Sequence, residues 1–146
     1  MELSRIYQDI ENAGGRVYIY NIGFAPALTL GEKADLSHLG VSVDAEQIES
    51  IADLSCKLAH ECGHCATGAL HEITSSFDLV ARHENKAWRW AIERYLPYNE
   101  IREAVRQGYS ERWELAEWFG LPEHFIERAL EYYTECRGIY AQKTKK

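Results

Sequence analysis

The hydrophobic period of the sequence changes at Asp44, and this change is the feature that most constrains the fold. In the run SHLGVSV, Leu39, Val41 and Val43 alternate with small or polar residues, which is typical of a strand with one buried face. Beyond Asp44 the apolar residues recur every three or four positions, as on one face of a long helix. We therefore predict an α+β fold, with a small sheet in the first third and helices after it.

The remaining segments extend this pattern. A short amphipathic helix is predicted before Gly14, and short strands are predicted for RVYIYNI and ALTL. Asp44 followed by Gln47 resembles a capping box for the long helix. Ser76 is predicted to cap a second long helix that ends before Pro97, and two glycine-containing turns divide the helices that follow.

The composition narrows the class of protein. With 146 residues, 46% hydrophobic, we expect one globular domain, and a net charge of -7 disfavours a surface that binds nucleic acid. The start MELSRIYQDI does not resemble a secretion signal, and no apolar run is long enough for a membrane span. A cytoplasmic protein that binds neither membranes nor nucleic acid is expected. Its cysteines are expected to be reduced thiols, with Cys62 packed in the core and Cys65 at its flank.

The long helical pattern contains the motif HExxH at His60, Glu61 and His64. Histidines four residues apart lie one turn apart on a helix, so both imidazoles can bind one metal ion. In zinc peptidases with this motif, the glutamate takes a proton from water at the metal. A chain of this composition contains HExxH by chance in about 3% of random arrangements, and this side of the helix could simply be solvated. The motif alone therefore leaves a structural and a catalytic interpretation open.

A third ligand is needed to decide between them. His71 lies one position too late for the third histidine of a metzincin, and the one methionine, at the N-terminus, cannot form the methionine turn of that class. Glu84 shares the apolar stripe of the second long helix, where a buried carboxylate without a partner would be costly. A cation would retain it there. If that helix instead began near His83, Glu84 would be an exposed acid in its first turn.

These features together resemble the ImmA/IrrE metallopeptidases. The resemblance rests on a strand followed by an HExxH helix, and on the later block ENKAWRWAIERYLP, which is similar to the family form ExxAxxFAxxxxxP. The matching positions are Glu84, Ala87, Trp90, Ala91 and Pro97. Trp90 stands where the family usually has Phe, Cys62 replaces the common Leu of HELGH, and Leu96 replaces the usual Met. The resemblance covers roughly residues 15–100.

The resemblance implies a zincin-like fold that binds one Zn²⁺ per chain through His60, His64 and Glu84, with Glu61 as the general base. It implies hydrolysis of a peptide bond in a partner protein, typically a transcriptional repressor of a phage or mobile element. We predict that the strand SHLGVSV, which directly precedes the helix, is the sheet edge along which an extended substrate pairs.

The predicted domain spans residues 1–146. Its parts are the helix and small sheet over 1–44, the metal-binding helices over 45–97, the C-terminal helices over 98–141 and a tail over 142–146. Candidates for the group that stabilises the oxyanion are His71, His83 and Tyr109.

Two alternative functions remain open. A zinc-binding regulatory module without turnover would have the same ligands as a peptidase. The segment ERWELAEWFGLPEHFIERALEYY has the rhythm of a helix-turn-helix DNA-binding regulator, but its second helix contains several glutamates, which are repelled by phosphates.

Overall fold

The computed structural model describes residues 2–19, 21–32, 35–70 and 76–136. The strands are β1 (Gly15–Ile19), β2 (Ala27–Glu32) and β3 (Asp35–Val43). The α-helices of these ranges are α1 (Leu3–Asn12), α2 (Ile51–Thr67), α3 (Phe77–Tyr95), α4 (Tyr98–Arg106), α5 (Arg112–Phe119) and α6 (Glu123–Glu131). A 3₁₀ turn (Ala45–Gln47) precedes α2, and a π-helical turn (Tyr132–Cys136) follows α6.

The predicted α+β order, with a short helix, then the strands and then the other helices, is confirmed. Within the described ranges, no helix combines the length and the apolar character that crossing a bilayer requires. His71 and the predicted tail over 142–146 lie outside the described residues. The extent of the predicted domain stays a prediction.

The three strands form one sheet in the order β1, β3, β2. β3 is parallel to β1 and antiparallel to β2, so hydrogen bonds occupy both of its sides. The prediction that SHLGVSV forms an edge for a substrate is therefore wrong. Leu39, Val41 and Val43 are all buried, as predicted for one face of this strand. The edge strands are β1 and β2, and β2 lies against α2.

The start of α2 also differs from the prediction. Asp44 caps the short 3₁₀ turn, and α2 begins separately at Ile51, where the Ser50 side chain accepts a hydrogen bond from a backbone N–H of the first turn. The Asp44 carboxylate also accepts hydrogen bonds from the backbone of Gly23 and from Gln47 Nε2, each of which favours its charged form. These bonds hold the pKa of Asp44 below its usual range. Asp44 thus fastens the loop between β1 and β2 rather than the long helix.

The second long helix begins where the sequence predicts. The Ser76 side chain accepts a hydrogen bond from Leu79 N, and α3 runs to Tyr95, two residues before Pro97. A helix start near His83 is thereby excluded. Phe77, the first residue of α3, is 94% exposed, and the first buried residue of this helix is Ala87.

The backbones of helices α2 and α3 come into close contact at Gly63 and Ala87. A Cβ atom on Gly63 would lie 2.3 Å from the Ala87 carbonyl oxygen, a distance that no side chain can occupy. Gly63 lies between the two histidines of HExxH, and Ala87 lies about one turn after Glu84. This contact therefore sets how close the potential ligands on the two helices can come.

The close contact makes Gly63→Ala a test of this packing. Alanine is favoured over glycine inside a helix by about 1 kcal/mol, but the clash with backbone is expected to lower the free energy of unfolding by at least about 2 kcal/mol. Urea unfolding measures the change. Gly40→Ala is the matched control, because its Cβ would meet the Tyr18 ring at 3.6 Å, an ordinary contact. Equal stability of the Gly63→Ala variant and the natural chain would contradict the described helix crossing.

Candidate metal centre

The side chains of His60, His64 and Glu84 meet between α2 and α3. His60 Nε2 lies 2.7 Å from Glu84 Oε2, and His64 Nε2 lies 3.1 Å from Glu84 Oε1. One potential ligand atom from each residue lies within 4.8 Å of the others. The three residues singled out as ligands are therefore brought together, and the group could hold a metal ion.

A backbone carbonyl fixes the orientation of His64. Gly68 ends α2 in the left-handed conformation, with φ of 66°, which turns the chain back over the last helical turn. The carbonyl oxygen of Ala69 then lies 2.6 Å from His64 Nδ1. Because a carbonyl can only accept, Nδ1 must carry a proton, so the nitrogen that remains available to bind a metal is Nε2, which faces Glu84. This is the usual arrangement of a metal-binding histidine.

His60 is held by its ring face and by Glu61. Its imidazole stacks on Trp88 of α3 with ring centroids 4.3 Å apart and planes 22° apart. Glu61 Oε2 lies 3.3 Å from Nδ1. Although Glu84 lies close to Nε2, that nitrogen is buried and the pair does not have the direction of a hydrogen bond. The Nε2 atom is thus aimed into the space between the side chains, where a shared cation would satisfy it.

The electrostatics of the site also favour a cation. Burial lowers the pKa of His60, but the adjacent carboxylates of Glu61 and Glu84 outweigh this effect and raise it from 6.5 to about 9. The close imidazoles of His60 and His64 hold the pKa of the Glu84 carboxyl well below its usual range. Two carboxylates thus draw positive charge into a mostly buried site. A divalent ion can supply that charge in place of protons on the imidazoles.

Glu61 receives a hydrogen bond that the sequence analysis did not anticipate. The hydroxyl of Thr29, on β2, donates to Glu61 Oε1 at 2.5 Å. Thr29 pairs with the buried Val41, so it lies on the face of the sheet that covers α2. The sequence contained a weak signal for this contact with Glu61. Thr29 is the polar residue of ALTL, and because side chains alternate along a strand, it points to the opposite face from Leu28 and Leu30.

Other residues considered in the sequence analysis do not join this group. Cys62 and Cys65 are both buried, and burial raises the pKa of their thiols to about 11 and about 12. Both side chains belong to the core, so Cys65 is more enclosed than the flank position that was expected. His83 lines a groove between α3 and α6. The ring of Tyr109 packs against Trp118.

Comparison with known proteins assigns no function: no family model, no curated protein and no solved structure matches the chain. The functional argument therefore rests on the site itself.

A metal titration tests whether the group binds an ion. Adding Zn²⁺ or Co²⁺ to metal-free protein is expected to raise the melting temperature, since an ion at about 100 times its Kd stabilises the folded state by about 2.7 kcal/mol. His64→Ala removes a ligand and should abolish the shift. His124→Ala, on the exposed surface of α6, is the matched control and should retain it. An unchanged shift in His64→Ala would place the metal elsewhere.

Proposed function

We propose that the protein is a zinc-dependent endopeptidase of the ImmA/IrrE type, with a zincin-like fold, that cleaves a partner protein. The observation that supports this most strongly is the convergence of His60 and His64 from one helix with Glu84 from the next, beside a second carboxylate, Glu61. A transcriptional repressor as the substrate, and a cytoplasmic location, follow from the resemblance of the two sequence blocks. They are part of the same proposal.

Zinc is the metal that best suits this donor set. Two imidazole nitrogens and one carboxylate oxygen are the protein ligands of many catalytic zinc sites, which leave a fourth position for water or substrate. The side chain of Glu84 is 37% exposed, so the group opens to solvent on the side of α3. In structural zinc sites, by contrast, four protein side chains fill all the coordination positions and leave none for water or substrate.

In the proposed reaction, Glu61 is the general base and acid. When bound, zinc supplies Lewis acidity, which polarises a carbonyl group and lowers the pKa of water. Glu61 takes a proton from the attacking water and passes it to the leaving amine. The hydroxyl of Thr29 holds Oε1 of this carboxylate, which leaves Oε2 on the side of His60. His64 keeps its productive tautomer through its bond to the Ala69 carbonyl.

The strand β2 replaces β3 as the proposed substrate edge. It is one of the two edge strands of the described sheet, it lies against α2, and it contains Thr29. An extended peptide that pairs with β2 would therefore run past Glu61 and the metal ligands.

One observation favours a second candidate, a zinc-binding regulatory module without turnover. Glu61 Oε2 lies 3.3 Å from His60 Nδ1. In many metal sites a carboxylate at this position orients the histidine through the ring nitrogen that does not bind the metal, which is a role without turnover. The helix-turn-helix alternative has two helices, α5 and α6, at the predicted positions, but α6 exposes Glu123 and Glu127. We do not propose DNA binding.

Glu61→Gln separates the peptidase from the regulatory module. As the general base, Glu61 is expected to contribute about 10²–10⁴-fold to the rate, so the amide variant should retain zinc and lose proteolysis by that factor. Zinc content is measured by mass spectrometry, and cleavage is measured on casein and a mixed peptide library. Glu100→Gln on the surface of α4 is the matched control. If Glu61→Gln instead lost zinc, the orienting role, and with it the regulatory module, would be favoured.

Thr29→Val tests how Glu61 is positioned. Valine has nearly the shape of threonine but cannot donate to the carboxylate, so kcat should fall about tenfold, the value of one hydrogen bond, with KM and zinc content little changed. Thr29→Ser keeps a hydroxyl and should restore most of kcat. An increase in KM with constant kcat would show that Thr29 acts in substrate binding and not through Glu61.

A further inference from the structure

A second site candidate lies on the far side of α3 from the metal ligands. A groove of about 820 Å³ runs between α3 and α6 and reaches the π-helical turn. We call it the α3–α6 groove. Its basic residues are Arg82, Lys86, Arg89 and Arg128. Neither the proposed zinc ligands nor Glu61 lines it, so the groove has no assigned role in the proposed peptidase reaction.

The positive charge in the groove is unusual for this chain, whose net charge is -7. Three other arginines of the described chain are neutralised by carboxylates: Arg94 by Asp9, Arg106 by Glu103, and Arg112 by Glu127. The groove cations have no such partner among the described residues. Arg82 donates to a backbone carbonyl, and Arg128 lies over the Trp88 ring, 4.2 Å from its centroid. The charge of these cations is therefore available to a ligand.

The groove also has apolar surface. Leu79, Trp88 and Ile92 line it between the cations. Trp88 contacts both sites, because it stacks on His60 as well as on Arg128. A ligand that fits must therefore present apolar groups together with negative charge.

Two features favour an acidic polypeptide over a nucleic acid. The overall negative charge of the chain repels a nucleic acid, which has a charge on every nucleotide, more strongly than a peptide with a few separate carboxylates. Glu131 and Glu135 line the same groove and would repel a phosphate backbone that follows it. A peptide can instead place separate carboxylates on the cations of α3 and avoid these glutamates.

We propose that the α3–α6 groove binds an acidic, amphipathic segment of a partner protein. Carboxylates of the segment pair with Arg82, Lys86 and Arg89, and its apolar side chains pack on the surface that Leu79 and Trp88 provide. The pairs are solvent-exposed, so they are weakened by salt and act mainly on partner choice and association rate. The groove is formed by protein side chains alone, so binding does not require metal or turnover.

The test uses a fluorescently labelled synthetic peptide in which glutamate alternates with leucine, added to the full chain at low salt. Fluorescence anisotropy is expected to show binding by metal-free and zinc-loaded protein alike, with affinity that falls as salt is added. The triple variant Arg82→Glu, Lys86→Glu and Arg89→Glu should weaken binding at least about tenfold. Because these side chains make no ion pairs among the described residues, the melting temperature should change little.

The controls separate a specific groove from general charge. The variant Arg16→Glu, Arg102→Glu changes exposed cations outside the groove and should bind the peptide nearly as the natural chain does. A peptide with lysine in place of glutamate should not bind. The proposal is overturned if the acidic peptide does not bind, if the triple variant binds it equally well, or if a DNA oligonucleotide of equal charge competes fully. A dimer that only the triple variant dissociates would also overturn it and identify a second copy as the occupant.

These outcomes are independent of the proposed peptidase. Because binding is measured on the metal-free chain, loss of peptide binding leaves the zinc site untouched. Loss of proteolysis in Glu61→Gln likewise leaves the groove unaffected.

Discussion

The whole site depends on the close contact between two helix backbones at Gly63 and Ala87. With any side chain at position 63, α2 and α3 would have to separate, and Glu84 would move away from the two imidazoles. A ligand set from two helices is sensitive to such a shift, because productive geometry at a functional site tolerates only about 0.5 Å of displacement. The small residues Gly63 and Ala87 are thus as much part of the candidate metal centre as its potential ligands are.

Around this contact, each functional side chain is held by a group from a different part of the fold. The carbonyl of Ala69, just beyond the C-terminal end of α2, sets the tautomer of His64. The indole of Trp88 on α3 supports the ring of His60, and the hydroxyl of Thr29 on β2 holds Glu61. Because such neighbours already restrict the side chains, less conformational entropy would be lost when an ion binds. They also hold each imidazole in an orientation that can bind a metal. A merely solvated helix face would have no reason for these three independent contacts.

The sequence predicted the parts of the structure that depend on local periodicity. The α+β order and the cap at Ser76 follow from spacing within single helices and strands, whereas the meeting of Glu84 with the histidines was implied by the resemblance. What failed depends on contacts between distant segments. Nothing local to SHLGVSV shows that β1 and β2 both pair with it, and nothing local to Asp44 shows that its carboxylate binds the backbone of Gly23. Thr29 and the α3–α6 groove were missed for the same reason, since each exists only when separate elements pack together.

The most direct measurement of the central claim is X-ray absorption spectroscopy of zinc-loaded protein. If His60, His64 and Glu84 hold the ion, the spectrum will show nitrogen and oxygen ligands only, with the multiple-scattering signature of two imidazoles. Sulfur in the first coordination sphere would contradict the account, because it would place zinc on a cysteine and not on the imidazoles and Glu84; the thiols of Cys56, Cys62 and Cys65 lie buried in the core with raised pKa values.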